Sequence, residues 1–178
     1  WLEHKLFLQM KFLRDPASEG CKILHGEEIW VRLGKRVNPC RHHQKGGGRQ
    51  FLPSLQRCVI SPSCVIIHRS VFQEVGLFRE DFPVCEDYDL WLRICARYQV
   101  GYISTPLIIK YGGHEDQLSK KFKAMDYWRL KSLMGIIHSE SYEQLSIDEK
   151  RECLNTADRK AKILLQGYKK HNNLVHYD

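Results

Sequence analysis

Apolar positions in this chain recur at two different periods, and the changes of period mark its elements. Leu2, Leu6, Met10 and Leu13 return at helical spacing until Asp15-Pro16 interrupts, which predicts a helix over 2–14. Over 22–33 the β-formers Ile23, Leu24, Ile29, Trp30 and Val31, broken at Gly26, predict one or two strands or a hairpin. A basic, polar stretch over 34–50, with Asn38-Pro39 and Gly46-Gly47-Gly48, reads as a loop. A short helix is expected over 51–58 and a buried strand over 63–68, an apolar run bounded by Pro62 and Arg69. Ser70 is the expected cap of a small helix over 71–75, which Gly76 closes.

The densest pattern follows, in Val84-Cys85-Glu86-Asp87-Tyr88-Asp89-Leu90-Trp91-Leu92-Arg93. A helix opening at Glu86 places three carboxylates in its first turn, where free N–H groups and the positive dipole end favour negative charge. Beyond Asp89, Arg93 and Arg97, spaced to pair along one stripe, the segment is nearly all apolar. Such a helix is packed on most sides, so its N-terminus is firmly held. Two readings of Glu86 and Asp87 stay open on these residues: helix-capping acids, or fixed carboxylates serving as a catalytic base.

Downstream, 100–104 and 107–111 read as two short strands across Thr105-Pro106, followed by a turn at Gly112-Gly113-His114-Glu115-Asp116. Helices are expected over 118–138 and 142–170. The second carries an apolar stripe (Leu154, Ala157, Ala161, Leu164, Tyr168) and a basic face (Arg159, Lys160, Lys162, Lys169, Lys170), either solvated or laid on an anionic membrane.

Composition narrows the classes. At 178 residues the chain can bury one sizeable core, and its 43% hydrophobic and 28% charged residues are ordinary for a globular domain. No run approaches the roughly 20 apolar residues of a membrane span, and no secretory leader is visible. The first residue is Trp1, so the chain is expected to begin partway into a longer one. Seven cysteines without a Cys-x-x-Cys pair suggest reduced thiols in a cytoplasmic protein. A net charge of +7 suits nucleic acid, an anionic membrane face or a phosphorylated substrate. With no RNP, zinc-finger or clear helix-turn-helix signature, nucleic acid is not the expected partner.

Several motifs lack what their chemistry requires. Gly46-Gly47-Gly48 has no following Lys-Ser/Thr, and Cys40, His42 and His43 have no second ligand pair at zinc spacing. Asp87-Tyr88-Asp89 has the letters of a nucleotide-sugar Asp-x-Asp motif, but in a first helical turn its two acids diverge. His114, in a Gly-Gly turn beside Glu115 and Asp116, is either a surface histidine or a ligand at a sheet end.

The order of segments is the more specific signal. Ile60-Ser61-Pro62-Ser63-Cys64-Val65-Ile66-Ile67-His68-Arg69 leads through Val71-Phe72 and Val75-Gly76-Leu77-Phe78 to Glu86-Asp87. His114-Glu115-Asp116-Gln117-Leu118-Ser119 comes after it. This set resembles the second half of the catalytic domain of family 2 glycosyltransferases, the inverting GT-A group, most closely over 60–119. The resemblance implies an α/β fold: a partial, Rossmann-like GT-A domain with a small mixed sheet flanked by helices, and a C-terminal helical extension. The acceptor-side portion would span 1–117 and the extension 118–178.

It further implies Asp87 as general base with Glu86 as its partner acid, and Ser63, Arg93 and Trp91 on the substrate side. His114 would lie near a divalent cation, Mn²⁺ or Mg²⁺, at the donor diphosphate. The partners implied are a nucleotide-sugar donor and a glycan or lipid-linked acceptor in polysaccharide biosynthesis. The site would be cytoplasmic, with the basic helix available for peripheral contact at the inner membrane face. The usual Phe-Asp-Glu reads Phe78-Arg79-Glu80 here. The Gln-x-x-Arg-Trp signature of processive synthases is missing, which implies single-sugar, hexosyl-type transfer. Trp1-Leu2-Glu3-His4-Lys5-Leu6 resembles the segment after the family's aspartate cluster, so the nucleotide-binding half would lie outside this chain. The alternatives are a non-catalytic basic binding module, on nucleic acid or an anionic membrane surface, and an inactive remnant.

Overall fold

In the computed structural model, which describes residues 1–37, 44–112 and 125–171, every other strand pairs with β1 (Ile23–Arg32). β4 (Gly101–Gly112) runs parallel to it along one edge. On the other edge, β2 (Lys35–Val37) pairs antiparallel at its C-terminal end and the two-residue β3 (Ile66–Ile67) at its N-terminal end. The sheet is small and mixed, as expected.

β1 is one strand because Gly26 is accommodated by a bulge. The register against β4 shifts on both sides of Glu27, where Pro106 enters opposite it. A side chain at position 26 would place its Cβ 2.4 Å from Leu107 Cδ1, so close approach demands glycine. The same irregularity lets β4 run through Thr105-Pro106 as a single strand, where the apolar pattern suggested two.

Helices cover the sheet. α1 (Lys5–Arg14) precedes β1, α2 spans Phe51–Gln56, α3 Arg69–Val75 and α4 Glu86–Arg97. The C-terminal region is helical: α5 (Met125–Ile137), a short α6 (Glu140–Glu143) and the long α7 (Ile147–His171). The run over 63–68 departs from expectation. Pro62 opens a 3₁₀ turn through Cys64, leaving only Ile66 and Ile67 to pair, both half-buried. α3 begins one residue before the expected cap: the His68 ring Nδ1 accepts from the Ser70 N–H, and Gly76 closes the helix at φ 80°.

The main core joins Ile23 of β1 to Phe51 and Leu55 of α2, and to Leu90, Trp91, Leu92, Ile94 and Cys95 of α4. Leu133 and Ile136 of α5 and Cys153 and Ala157 of α7 complete it. α4 packs against α2, α3, α5 and α6, as its apolar density required. A smaller cluster, Cys64, Leu107 and Ile108, receives Leu8 of α1 and Ile103. All six described cysteines are free thiols. Part of the basic face of α7 is internally paired, with Lys160 Nζ 2.8 Å from Asp126 of α5 and Lys162 Nζ 2.7 Å from Asp158. No helix among the described residues is long and apolar enough to cross a membrane.

Candidate active site

The chain enters α4 through Cys85, a non-glycine residue at φ 62°. That left-handed conformation is strained for a residue with a Cβ, and here it aims the next two carboxylates along the start of the helix. Asp87 is half-buried, and its two oxygens have different partners. Oδ1 accepts from the Tyr88 backbone N–H at 2.7 Å, and Oδ2 accepts from the Cys58 thiol at 3.1 Å. Glu86 is also half-buried, and among the described residues it has no hydrogen-bond or ion-pair partner.

The local contacts of Asp87 bear on both readings that the sequence left open. Asp87 does satisfy a first-turn N–H, as a capping acid would. It also directs its other oxygen away from the helix, onto a side chain from another segment. Burial around the Cys58 thiol, then the Asp87 charge, push the thiol well above its ordinary range. Cys58 counts as exposed by its whole-residue surface. Its sulfur, however, is turned onto the Asp87 carboxylate. The thiol therefore stays protonated and keeps donating at neutral pH.

The helix behind Asp87 is fixed on three sides. Tyr88 Oη donates to the Leu55 carbonyl at 2.8 Å. Arg93 pairs with Asp89 at 2.8 Å and donates to the carbonyls of Val75 and Leu77, tying α4 to the end of α3. Trp91 is buried in the core with Phe78 edge-on at 6.3 Å. Arg93 and Trp91, expected on the substrate side, thus spend their visible contacts in holding α4. Arg97 bonds Ser141 of α6 at 2.7 Å, so only Asp89 and Arg93 pair on the expected stripe. Ser63 is exposed on the 3₁₀ turn, two residues beyond the buried Ser61. His114 lies outside the described residues.

Cys58 connects Asp87 to a cavity of about 510 Å³: the thiol residue belongs to the cavity wall, which Asp87 itself does not line. Its floor is a buried polar network on β1. Glu28 accepts from Ser61 Oγ at 2.8 Å and from Trp30 Nε1 at 2.9 Å, and lies 3.2 Å from Lys45 Nζ. Lys45 and Lys110 each reach Ser61 Oγ at 3.4 Å. Burial pushes the Glu28 carboxyl up, but Lys45, Lys110 and the Ser61 hydroxyl together outweigh it and hold the group below its ordinary value. Arg57 and Arg129 complete the basic wall. Among the described residues no three His, Cys, Asp or Glu side chains converge to hold a metal ion.

Sequence reasoning missed Glu28, Arg57, Cys58, Ser61, Lys110 and Arg129, and a signal existed for only some of them. Glu28 and Trp30 alternate on one face of β1, and β4 sets Lys110 opposite Trp30. Cys58 and Arg129 come from distant segments, and nothing in their local sequence marks them.

Known proteins share parts of this chain. It is 37% identical over 71 residues, 40% of its length, to an uncharacterized glycosyltransferase of Rickettsia felis. An uncharacterized glycosyltransferase of Rickettsia bellii is 28% identical over 134 residues, 70% of the chain. One from Rickettsia conorii is 37% identical over 71 residues. The chain spans only 12%, 19% and 11% of the lengths of these three relatives. No family model matches the chain, and no solved structure matches it at a significant level.

Proposed function

We propose that the chain is the acceptor-side part of an inverting, family 2-type glycosyltransferase, with Asp87 as general base. One observation carries the reading: a half-buried carboxylate on a rigidly packed helix turns one oxygen toward a cavity wall and keeps it on a protonated thiol. The names of the relatives support the transferase class.

In this reading the acceptor hydroxyl approaches Asp87 within hydrogen-bond reach, with Glu86 as the adjoining acid. As the hydroxyl oxygen bonds to the anomeric carbon of a nucleotide sugar, its proton passes to the Asp87 carboxylate. The bond from that carbon to the diphosphate breaks with its electron pair leaving on the nucleoside diphosphate, and the configuration inverts. Cys58, Tyr88 and the α4 anchors set the carboxylate's orientation beforehand. One hexosyl unit is transferred per event to a glycan or lipid-linked acceptor, in the cytoplasm or against the inner membrane face. The chain divides into an acceptor-side portion, 1–117, and a helical extension, 118–178, and residues outside the chain bind the donor. A divalent cation at the diphosphate would neutralise the leaving group. The described residues offer it no ligand set, and no step here depends on it.

Asp87→Asn in the full-length protein tests the base directly. Transfer should fall by about 10²–10⁴-fold, the usual contribution of a positioned base, while nucleotide-sugar affinity stays nearly constant. Wild-type turnover in that variant would remove Asp87 from the mechanism.

A further inference from the structure

The cavity that Cys58 lines holds more positive charge than its own carboxylate neutralises. Glu28 is committed to Lys45, Ser61 and Trp30. That leaves Arg57, Lys110 and Arg129 on the same walls. Among the described residues Arg57 makes no hydrogen bond or ion pair. Among the described residues Lys110 has no carboxylate within ion-pair distance; it reaches the Ser61 hydroxyl at 3.4 Å and the face of Trp30 at 4.9 Å. Arg129 touches Asp126 at 3.4 Å, but Lys160 holds that carboxylate more closely, at 2.8 Å, and among the described residues Arg129 Nε is buried without a hydrogen-bond partner.

Cations gathered around one recess repel each other, and a buried guanidinium N–H without an acceptor is a further cost. The fold sustains this arrangement with a buried network that positions Lys45 and Lys110. A bound anion would relieve both costs at once. Guanidinium forks match phosphate oxygens, and lysine supplies a point charge to the same group. A volume of about 510 Å³ suits a sugar-sized ligand rather than a bare ion.

We propose that this cavity is an acceptor subsite for a phosphate group, so that the acceptor is a phosphate-bearing sugar whose free hydroxyl lies at Asp87. The assignment to the acceptor rests on the transferase reading above. The anion site itself rests only on the cavity. Cys58, shared by the cavity wall and Asp87, sets the phosphate next to the reacting hydroxyl.

Calorimetry on the full-length protein with glucose 6-phosphate tests this, with glucose and UDP as comparison ligands. Glucose 6-phosphate should bind, and glucose at least tenfold more weakly. Arg57→Ala and Lys110→Ala should each weaken the sugar phosphate by about tenfold or more while leaving UDP affinity unchanged. Urea midpoints equal to the wild type's show that the variants are folded. Lys131→Ala, a surface lysine paired with Asp81, should change neither. No binding of glucose 6-phosphate, or binding indifferent to both variants, overturns the proposal. So does a loss of UDP affinity in the same variants, which would give the cavity to the donor diphosphate. The two readings fail separately. If the sugar phosphate binds as stated but transfer survives Asp87→Asn, the base assignment falls and the anion site stands.

Discussion

α1 and α4 are of similar length, 10 and 12 residues, and bury opposite kinds of side chain. α4 turns Leu90, Trp91, Leu92, Ile94 and Cys95 into the main core and keeps its acids at its first turn. α1 buries Lys5 and Gln9, while Phe7 is 69% and Leu6 49% exposed. Leu8 packs on the smaller cluster, and the fully buried positions hold by hydrogen bonds: Lys5 Nζ donates to Gln9 Oε1 at 2.7 Å, and Gln9 Nε2 to the Cys64 carbonyl at 2.9 Å. The contrast separates two ways of fixing a helix. Apolar burial of a Leu-sized side chain stabilises by about 1.5–3 kcal/mol, whereas a net hydrogen bond gives about 0.5–1.5 kcal/mol. The helix that carries the candidate base is held in the stronger way, so its carboxylates have little freedom to drift.

The largest effect should come from the core side of α4. Trp91→Ala removes a fully buried ring and leaves a cavity, at a cost of about 3–5 kcal/mol in urea unfolding. Trp91→Phe should cost much less than the Ala variant. It keeps most of the volume and also removes an indole N–H that is buried without a hydrogen-bond partner among the described residues. Equal losses for the two variants would mean that Trp91 contributes something other than packing.

β1 lies between the helices and supplies a pH-dependent term. His25 is fully buried, its Nε2–H donating to the Gly46 carbonyl at 2.9 Å. Burial is the main cause that lowers its pKa from 6.5 to about 4. The folded state therefore resists protonation that the unfolded chain accepts. Above pH 6.5 this group does not affect the folding equilibrium. Stability then falls as pH drops from 6.5 to about 4, by about 3 kcal/mol in total. Urea midpoints across that window should slope for the wild type, and His25→Gln should flatten the slope. An unchanged slope would assign the acid sensitivity elsewhere.

On the polar side of α1 the effects should be smaller. Gln9→Ala strands buried Lys5 Nζ and the Cys64 carbonyl, at about 1–3 kcal/mol. Replacing both partners, Lys5→Met with Gln9→Leu, should recover part of the loss, because no donor is then left unmatched on α1. A double variant worse than Gln9→Ala would show that the pair does more than satisfy itself.

How much of this was legible in the sequence depended on whether the signal was local. The helix from Glu86 was readable in place and in kind, since its apolar density and first-turn acids lie within ten residues. The helix of α1 was readable too, but its orientation was not. Leu2, Leu6 and Met10 announce a helical period without saying which side meets the sheet, and the buried side turned out to be Lys5 and Gln9. Of the strand expected over 63–68 only Ile66 and Ile67 pair, because Pro62 set a 3₁₀ turn that propensity could not weigh. At the candidate site, Asp87 was visible as a charge at a helix start. Its thiol partner and basic cavity were hidden, because Cys58, Glu28, Lys110 and Arg129 meet only through tertiary packing.

The smallest effect should be on the outer face of α1. Phe7, with Leu6 and Met10, lines an open recess of about 610 Å³, so the folded state gains little from its ring. Phe7→Ser should shift the unfolding free energy by no more than about 0.5 kcal/mol, as for an ordinary surface position. It should also reduce self-association at high concentration, because the exposed apolar area shrinks. The same urea titration as for Trp91→Ala puts both helices on one scale. A loss at Phe7 comparable to that at Trp91 would mean that the outer face of α1 is covered in solution. The two helices would then be held alike, by apolar burial, and the contrast between them would vanish.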